Sequence, residues 1–297
     1  PQRPVPRLPK PGPKPRLPNM IRRLEMGPNL RGVVFMAMAV MILPVMDGFA
    51  KHLSADFAMP QILWARFFFQ SLLIVPIAWI GYRGLFQRSL LEPIQIFRGL
   101  CIMVATGLFF TAISTMPIAD ALALIFIAPI IVTALSPWLL GEQVGPRRWT
   151  AVAVGFAGTL IIIRPGPGIL DSGAIFAAGA GLCFAFYVIS TRKLSSSVPP
   201  VVTLAVTSVV GTVATSVVAP AYWAPAGLAD LAMMAAIGLT SAIGHYLMIK
   251  ALVAAPASLV APIGYGEIVG ATLVGYFWFG DFPSAMTWAG IAIVIAS

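Results

Sequence analysis

Charged residues are scarce in this chain. Asp, Glu, Lys and Arg make up 10% of its 297 residues, against about 25% in soluble globular domains. So little charge cannot cover a water-soluble surface, and a soluble domain is excluded. Cysteine is also rare: Cys101 and Cys183 both lie inside apolar runs, with no disulfide framework and no metal-ligand spacing. No H-E-x-x-H, no Walker loop, no Gly-rich turn after a strand and no serine elbow is present. The stretch His52-Leu-Ser-Ala-Asp56 has one residue too few for an acyltransferase His/Asp pair. No cofactor and no enzymatic function is expected. Also missing are the short alternating apolar and polar segments of a transmembrane β-barrel.

What the chain has instead is apolar length. Hydrophobic residues make up 59% and the mean hydropathy is +0.92. The runs reach about 18 residues or more, enough for a helix to cross hydrocarbon. The pattern predicts an all-α polytopic membrane protein of ten spans: 32–51, 60–80, 94–114, 118–140, 146–163, 172–191, 200–219, 228–250, 257–279 and 283–297. The last is short and is expected to be incomplete.

The net charge of +9 is not a nucleic-acid footprint. Five of the 19 basic residues lie in the first 16 positions, and most others flank apolar runs. Residues 1–31 read as a basic, proline-rich, disordered tail, whose partner would be anionic lipid. Met20 is a possible start, and no signal peptide precedes the first span. With the N-terminus inside, the inner flanks hold Arg22, Arg23, Arg31, Arg83, Arg88, Arg98, Arg147, Arg148, Arg192, Lys193 and Lys250, and the outer loops only Lys51 and Arg164. The positive-inside rule then sets both termini in the cytoplasm. Six tryptophans near span ends and Trp223 in a loop fit an interfacial belt.

The chain also repeats itself. At a constant offset of 139 residues, Pro117 meets Pro256, Ala112 meets Ala251, Gly141-Glu142 meets Gly280-Asp281 and Trp149 meets Trp288. This predicts two five-helix repeats, residues 32–163 and 172–297. Five is odd, so the second would enter the membrane from the opposite side, as in the inverted repeats of many secondary transporters.

These residues resemble the drug/metabolite transporter superfamily, in particular its ten-span EamA-type carriers. The likeness rests on the duplicated turn (Gly141-Glu142, Gly280-Asp281), Arg66 in the second span and Arg98-Gly99 opening the third. Within the superfamily the chain is most similar to bacterial inner-membrane exporters of aromatic amino acids, which are also linked to methyl viologen efflux. Many members carry Glu-Pro in the ninth span, whereas here Glu267 is followed by Ile268; in the first half Pro129 is present with Ala128 at the matching place.

Ionisable groups inside spans are expensive and become functional candidates. Glu267, in a glycine-rich stretch, is the first, as a proton-coupling or cation-binding carboxylate. His245, beside Tyr246, is a candidate proton acceptor or substrate contact. Asp47, Arg66 and Asp120 are candidates for an outer gate or ion pair; Arg66 is expected to snorkel outward or to pair with Asp47 or Asp120. Tyr187, Tyr246, Tyr265 and Phe126 would line an aromatic substrate cavity. The turns at Gly141-Glu142 and Gly280-Asp281 are expected to be structural caps.

The expected function is a secondary transporter that exports small amphipathic metabolites by alternating access, with protons as a possible partner. Two alternatives stand beside it. A nucleotide-sugar or phosphate exchanger would need mid-span Lys or Arg, and apart from Arg66 none is seen. An intramembrane lipid-modifying enzyme would need a convergent polar cluster at one interface.

Overall fold

The computed structural model describes residues 27–116, 118–163, 172–280 and 285–296, without the side chains of Asp120, Ala123, Thr159, Ile162, Ile163, Ser172, Thr287, Ile291, Val294 and Ile295. The tail, the Pro165–Gly168 turn and Asp281 therefore lie outside the described residues. Every element among those described is helical. In order they are α1 (Pro28–Leu53), α2 (Met59–Ser89), α3 (Pro93–Thr115), α4 (Ile118–Ile125), α5 (Ile127–Leu140), α6 (Pro146–Ile163), α7 (Ser172–Leu194), α8 (Pro200–Ser216), α9 (Leu228–Ala254), α10 (Ala257–Val260), α11 (Glu267–Phe279) and α12 (Ala285–Ala296). Two short 3-10 turns, Ala219–Tyr222 and Ala261–Gly266, complete the set.

Six stretches are long and apolar enough to cross a membrane: α1, α2, α3, Gly173–Leu194 of α7, α9, and the run Ala257–Phe279. Ile127–Leu140 and Pro200–Ser216 are shorter apolar helices. Large apolar side chains stand on the outside, among them Ile80, Trp138, Val217, Leu228 and Phe277. A water-soluble protein does not carry so much exposed apolar surface; a bilayer covers it. The chain is a polytopic helical membrane protein.

Proline sets several helix starts, at Pro28, Pro93, Pro146 and Pro200, where the missing N–H costs nothing. Helix ends repeat at the 139-residue offset. Met116 closes α3 in extended backbone (φ −140°, ψ 165°) with its N–H on the Ala112 carbonyl; Ala255 closes α9 the same way (φ −141°, ψ 157°) on Ala251. The proline that follows each, Pro117 and Pro256, bars the preceding residue from helical backbone. Gly141 ends α5 at φ 67° and Gly280 ends α11 at φ 76°, the left-handed cap that favours glycine.

The fourth and ninth apolar runs, expected as continuous spans, are each broken near the middle. The fourth breaks at one residue, Phe126, between α4 and α5. Pro129 follows three residues later, and its ring excludes the Ile125 carbonyl from the helical ladder. The ninth breaks over the six residues Ala261–Gly266, where Pro262, Gly264 and Gly266 disfavour a regular helix.

Packing brings helices together in matched pairs. α1 lies mainly against α9, α3 against α7, α2 against α8, and α12 against α6. The α7 neighbours α4 and α5 correspond to the α1 neighbours α11 and the Ala261–Gly266 turn. The connection after α8 is held by Gln61, whose amide donates to the Ala224 carbonyl (2.9 Å) and accepts from its N–H (2.8 Å). The main apolar core runs through α1, α3, α7 and α9 to the two broken runs.

Candidate functional site

The broken runs cross at the centre of the core. Phe126 and Tyr265, which correspond at the 139-residue offset, meet edge to face with centroids 5.2 Å apart. Glu267 opens α11 directly after the break, so the irregular backbone delivers a carboxylate to the interior. α11 then crosses α1 closely: a Cβ on Gly270 would stand 2.8 Å from the Pro44 ring and 3.1 Å from the Val40 carbonyl. Gly266 has only ordinary contact, so of the Gly266 and Gly270 pair it is Gly270 that permits the close approach.

Two small cavities meet there. One, of about 60 Å³, is lined by Asp47 and Met46 of α1, Thr106 and Phe109 of α3, Phe184 of α7, His245 and Glu267 among others. The other, of about 40 Å³, is more apolar and includes Phe126, Ala128 and Pro129. Glu267, Ile125 and Phe184 line both. The first has room for a few waters and is well below the roughly 300 Å³ of a small-molecule pocket. In this conformation the space beside the central polar groups is too small for a metabolite.

Those groups have a definite chemistry. Arg66 is 1% exposed and points into the bundle, which corrects the expectation that it snorkels outward. Its Nη2 lies 3.2 Å from His245 Nε2, and His245 Nδ1 lies 3.1 Å from the Ser241 carbonyl. Arginine only donates and a carbonyl only accepts, so Nε2 carries the lone pair and Nδ1 the proton. His245 is thus neutral and holds Arg66. To take a proton it would have to give up that bond beside a guanidinium, so the geometry does not favour the expected acceptor role. Asp47 is 1% exposed and within electrostatic reach of Arg66 and Glu267, but its Oδ1 has no hydrogen-bond partner. No salt bridge joins Asp47 to Arg66, the Arg192–Glu142 pair being the one ion pair among the described residues.

The remaining candidates divide. Tyr187 is fully buried, with its ring 6.0 Å from His245 and 5.8 Å from Phe184. Phe126 lines the second cavity with Glu267, and Tyr265 packs against the Phe126 ring. Tyr246 packs instead with the second apolar core, against α2 and α8, and under Lys250. The side chain of Asp120 lies outside the described residues. Among those described, no His, Cys, Asp and Glu cluster could hold a metal ion.

Glu142 does more than close its own turn. Its carboxylate accepts from the N–H of Ala257 (2.8 Å), the N–H and hydroxyl of Ser258 (3.0 and 2.7 Å) and Arg192 Nε (3.1 Å). It caps the start of α10 from 115 residues away. Burial alone would raise its carboxyl, but the hydrogen bonds from Ser258, Ala257 and Arg192 outweigh burial and hold it below the usual 4.5.

Sequence reasoning missed Arg98, read as a cytoplasmic flank. It is 0% exposed, donates Nη2 to the Thr203 carbonyl (2.7 Å) and to the Thr207 hydroxyl, and lies 5.2 Å from the Tyr187 ring centroid. The signal was available in register: Arg98 precedes the cavity-lining Ile102 by one helical turn.

The EamA-like transporter family pattern matches residues 30–164 and again residues 171–297. The chain belongs to the EamA-like transporter family. Among curated relatives, the S-adenosylmethionine uptake transporter of Rickettsia bellii is 26% identical over 250 residues, covering 84% of this chain and 85% of its own. The riboflavin transporter of Vibrio cholerae is 25% identical, covering 90% and 91%. The pseudopaline exporter of Pseudomonas aeruginosa is 27% identical, covering 90% and 94%. A chain of known crystal structure superposes with a TM-score of 0.69 at 20% identity, over 89% of this chain and 95% of that one, which shows the shared fold. As an EamA-like protein the chain is a small-molecule transporter and not an enzyme.

Proposed function

We propose that this EamA-like protein is a secondary transporter of a bacterial inner membrane, moving small amphipathic metabolites that join a ring to an amino-acid-like head. Aromatic amino acids, carried outward, are the first members of that class; methyl viologen-like cations, which keep the rings and lack the amino-acid head, form a second class. The observation that carries this reading is the polar centre, where Asp47, His245, Glu267, Phe109 and Phe184 line one small cavity. Charged groups suit a polar head and the rings suit an aromatic body. The relatives' names add weight, since S-adenosylmethionine and riboflavin both carry heteroaromatic rings.

Transport proceeds by alternating access between two inverted halves, residues 32–163 and 172–297, with both termini cytoplasmic. This is supported by the matched helix pairs, the matched caps at Met116 and Ala255, and the contact of Phe126 with Tyr265. Such halves can rock about a fixed central site. Glu267 is the group suited to proton coupling.

A second reading, exchange of phosphate-bearing metabolites, is favoured by one observation: buried Arg98 joins Arg66 inside the bundle, giving two interior guanidiniums where the sequence offered one. Counterflow in proteoliposomes separates the two, using labelled phenylalanine, tryptophan, S-adenosylmethionine, riboflavin and a nucleotide sugar. Exchange of the ring-bearing amino acids is expected. Exchange of the nucleotide sugar alone establishes the second reading, and no exchange at all overturns both. An imposed pH gradient that drives Glu267→Gln as well as the parent ends the coupling role.

A further inference from the structure

We propose that Arg66, Arg98 and Tyr187 form a buried subsite for the carboxylate of the transported molecule, joined through His245 to the cavity that Asp47 and Glu267 line. The inference rests on the transporter reading above and adds the head-group chemistry to it.

The starting point is a set of unmet donors. Arg66 and Arg98 are 1% and 0% exposed, yet Nε and Nη1 of both have no hydrogen-bond partner, and neither has the Tyr187 hydroxyl. That hydroxyl passes near Thr191, whose own hydroxyl donates to the Tyr187 carbonyl (2.7 Å). A buried guanidinium without acceptors is costly, and nature satisfies such groups with an anion or with water. Each arginine is nevertheless fixed: Arg98 by Thr203 and Thr207, Arg66 by His245. Fixed position with open donors is the mark of a prepared binding group.

The three residues converge. Arg98 lies 5.2 Å from the Tyr187 ring centroid, the Tyr187 ring 6.0 Å from His245, and His245 bonds Arg66. The charges of both arginines reach the Tyr187 hydroxyl. A carboxylate there would accept from two guanidiniums, the bidentate partner they match best, and from a phenol. His245 lines the central cavity, so the subsite adjoins it. Asp47 and Glu267 line that cavity together with His245, so acidic groups and guanidiniums both neighbour the histidine. The two kinds of charge complement a zwitterionic head, ammonium toward the acids and carboxylate toward the arginines.

Thermal shifts of the full chain in detergent test this with 3-phenylpropionate, which has a carboxylate and no ammonium, phenethylamine, the reverse, and inorganic phosphate. Saturable stabilisation by 3-phenylpropionate is expected, weakened at least ten-fold in Arg98→Gln and in Tyr187→Phe and partly kept in Arg98→Lys. Phenethylamine should protect those variants as it does the parent. If Arg98→Gln fails to fold, Tyr187→Phe, which removes one hydroxyl, decides alone. Undiminished protection by 3-phenylpropionate in the folded variants, or none in the parent, overturns the subsite. Protection by phosphate and not by 3-phenylpropionate overturns the carboxylate assignment. Because binding needs no flux, failed counterflow with intact anion protection strikes the transport reading and leaves the subsite standing.

Discussion

The fourth and ninth apolar runs have the same plan and different interiors. Both start after a proline, break near the middle and end in a left-handed glycine, Gly141 or Gly280. The fourth breaks at one residue and continues with Ala128; the ninth opens over Ala261–Gly266 and continues with Glu267. The shared parts satisfy backbone groups, which any chain in a bilayer must do. The parts that differ place a carboxylate in one half and a methyl group in the other at a common cavity. What is common builds the frame, and what is unequal gives the cavity its chemistry.

Four experiments set the shared frame against the unequal interior. The largest effect is expected from Glu267→Ala, which should cut counterflow by roughly thirty-fold, about 2 kcal/mol at a tenfold rate per 1.4 kcal/mol. Ala128→Ser should stay within about three-fold, because a hydroxyl adds no charge to the cavity. Equal tolerance at the two positions would end the claim that the asymmetry matters. Next, Glu142→Ala should destabilise the protein by about 2 kcal/mol, read as a fall in melting temperature, since it strips a buried cap of its acceptor. Glu142→Asp, the residue type at the matching place in the second half, should lose less.

Gly141→Ala and Gly280→Ala should each cost about 1 kcal/mol. No atom lies within 4 Å of a Cβ at either, so the cost is backbone strain alone and should be equal in the two halves. Unequal losses would show that the frame is less symmetric than its geometry. The smallest effect is in pH. The lowered Glu142 carboxyl contributes stability above its unfolded value of 4.5, and that contribution is lost as pH falls through the folded value. The melting-temperature gap between the parent and Glu142→Gln should therefore be widest near neutrality and close below 4.5.

Much of this was legible in sequence because a bilayer simplifies the problem. Long apolar runs, proline starts and the glycine turns follow from the need to pair every backbone group. Glu267 was legible as an interior acid, whereas Asp47, expected at an outer gate, lines the same central cavity. The breaks at Phe126 and Ala261–Gly266 were not legible, because a bent helix and a straight one bury the same apolar residues. Arg98 was misread for a related reason: a basic residue one turn into a helix looks like a flank unless the neighbouring helices extend past it. Here α2 kinks at Tyr82 (φ −146°, ψ 33°), two residues beyond the expected end, and resumes to Ser89, and α8 supplies Thr203 and Thr207. Tyr246 shows the limit of adjacency: next to His245 in sequence, it turns about 100° away around the helix.

The reach of Glu142 across the chain has a mechanical side. It fastens the end of one broken run to the start of the other, and Arg192, which also donates to the Leu252 carbonyl (2.6 Å), ties in α7 and α9. Any movement that parts these ends must surrender three hydrogen bonds at once and bare two amides of α10 to water. The turn is therefore a latch, and the separation of Arg192 from Glu142 is a gauge of whether that end of the molecule is shut.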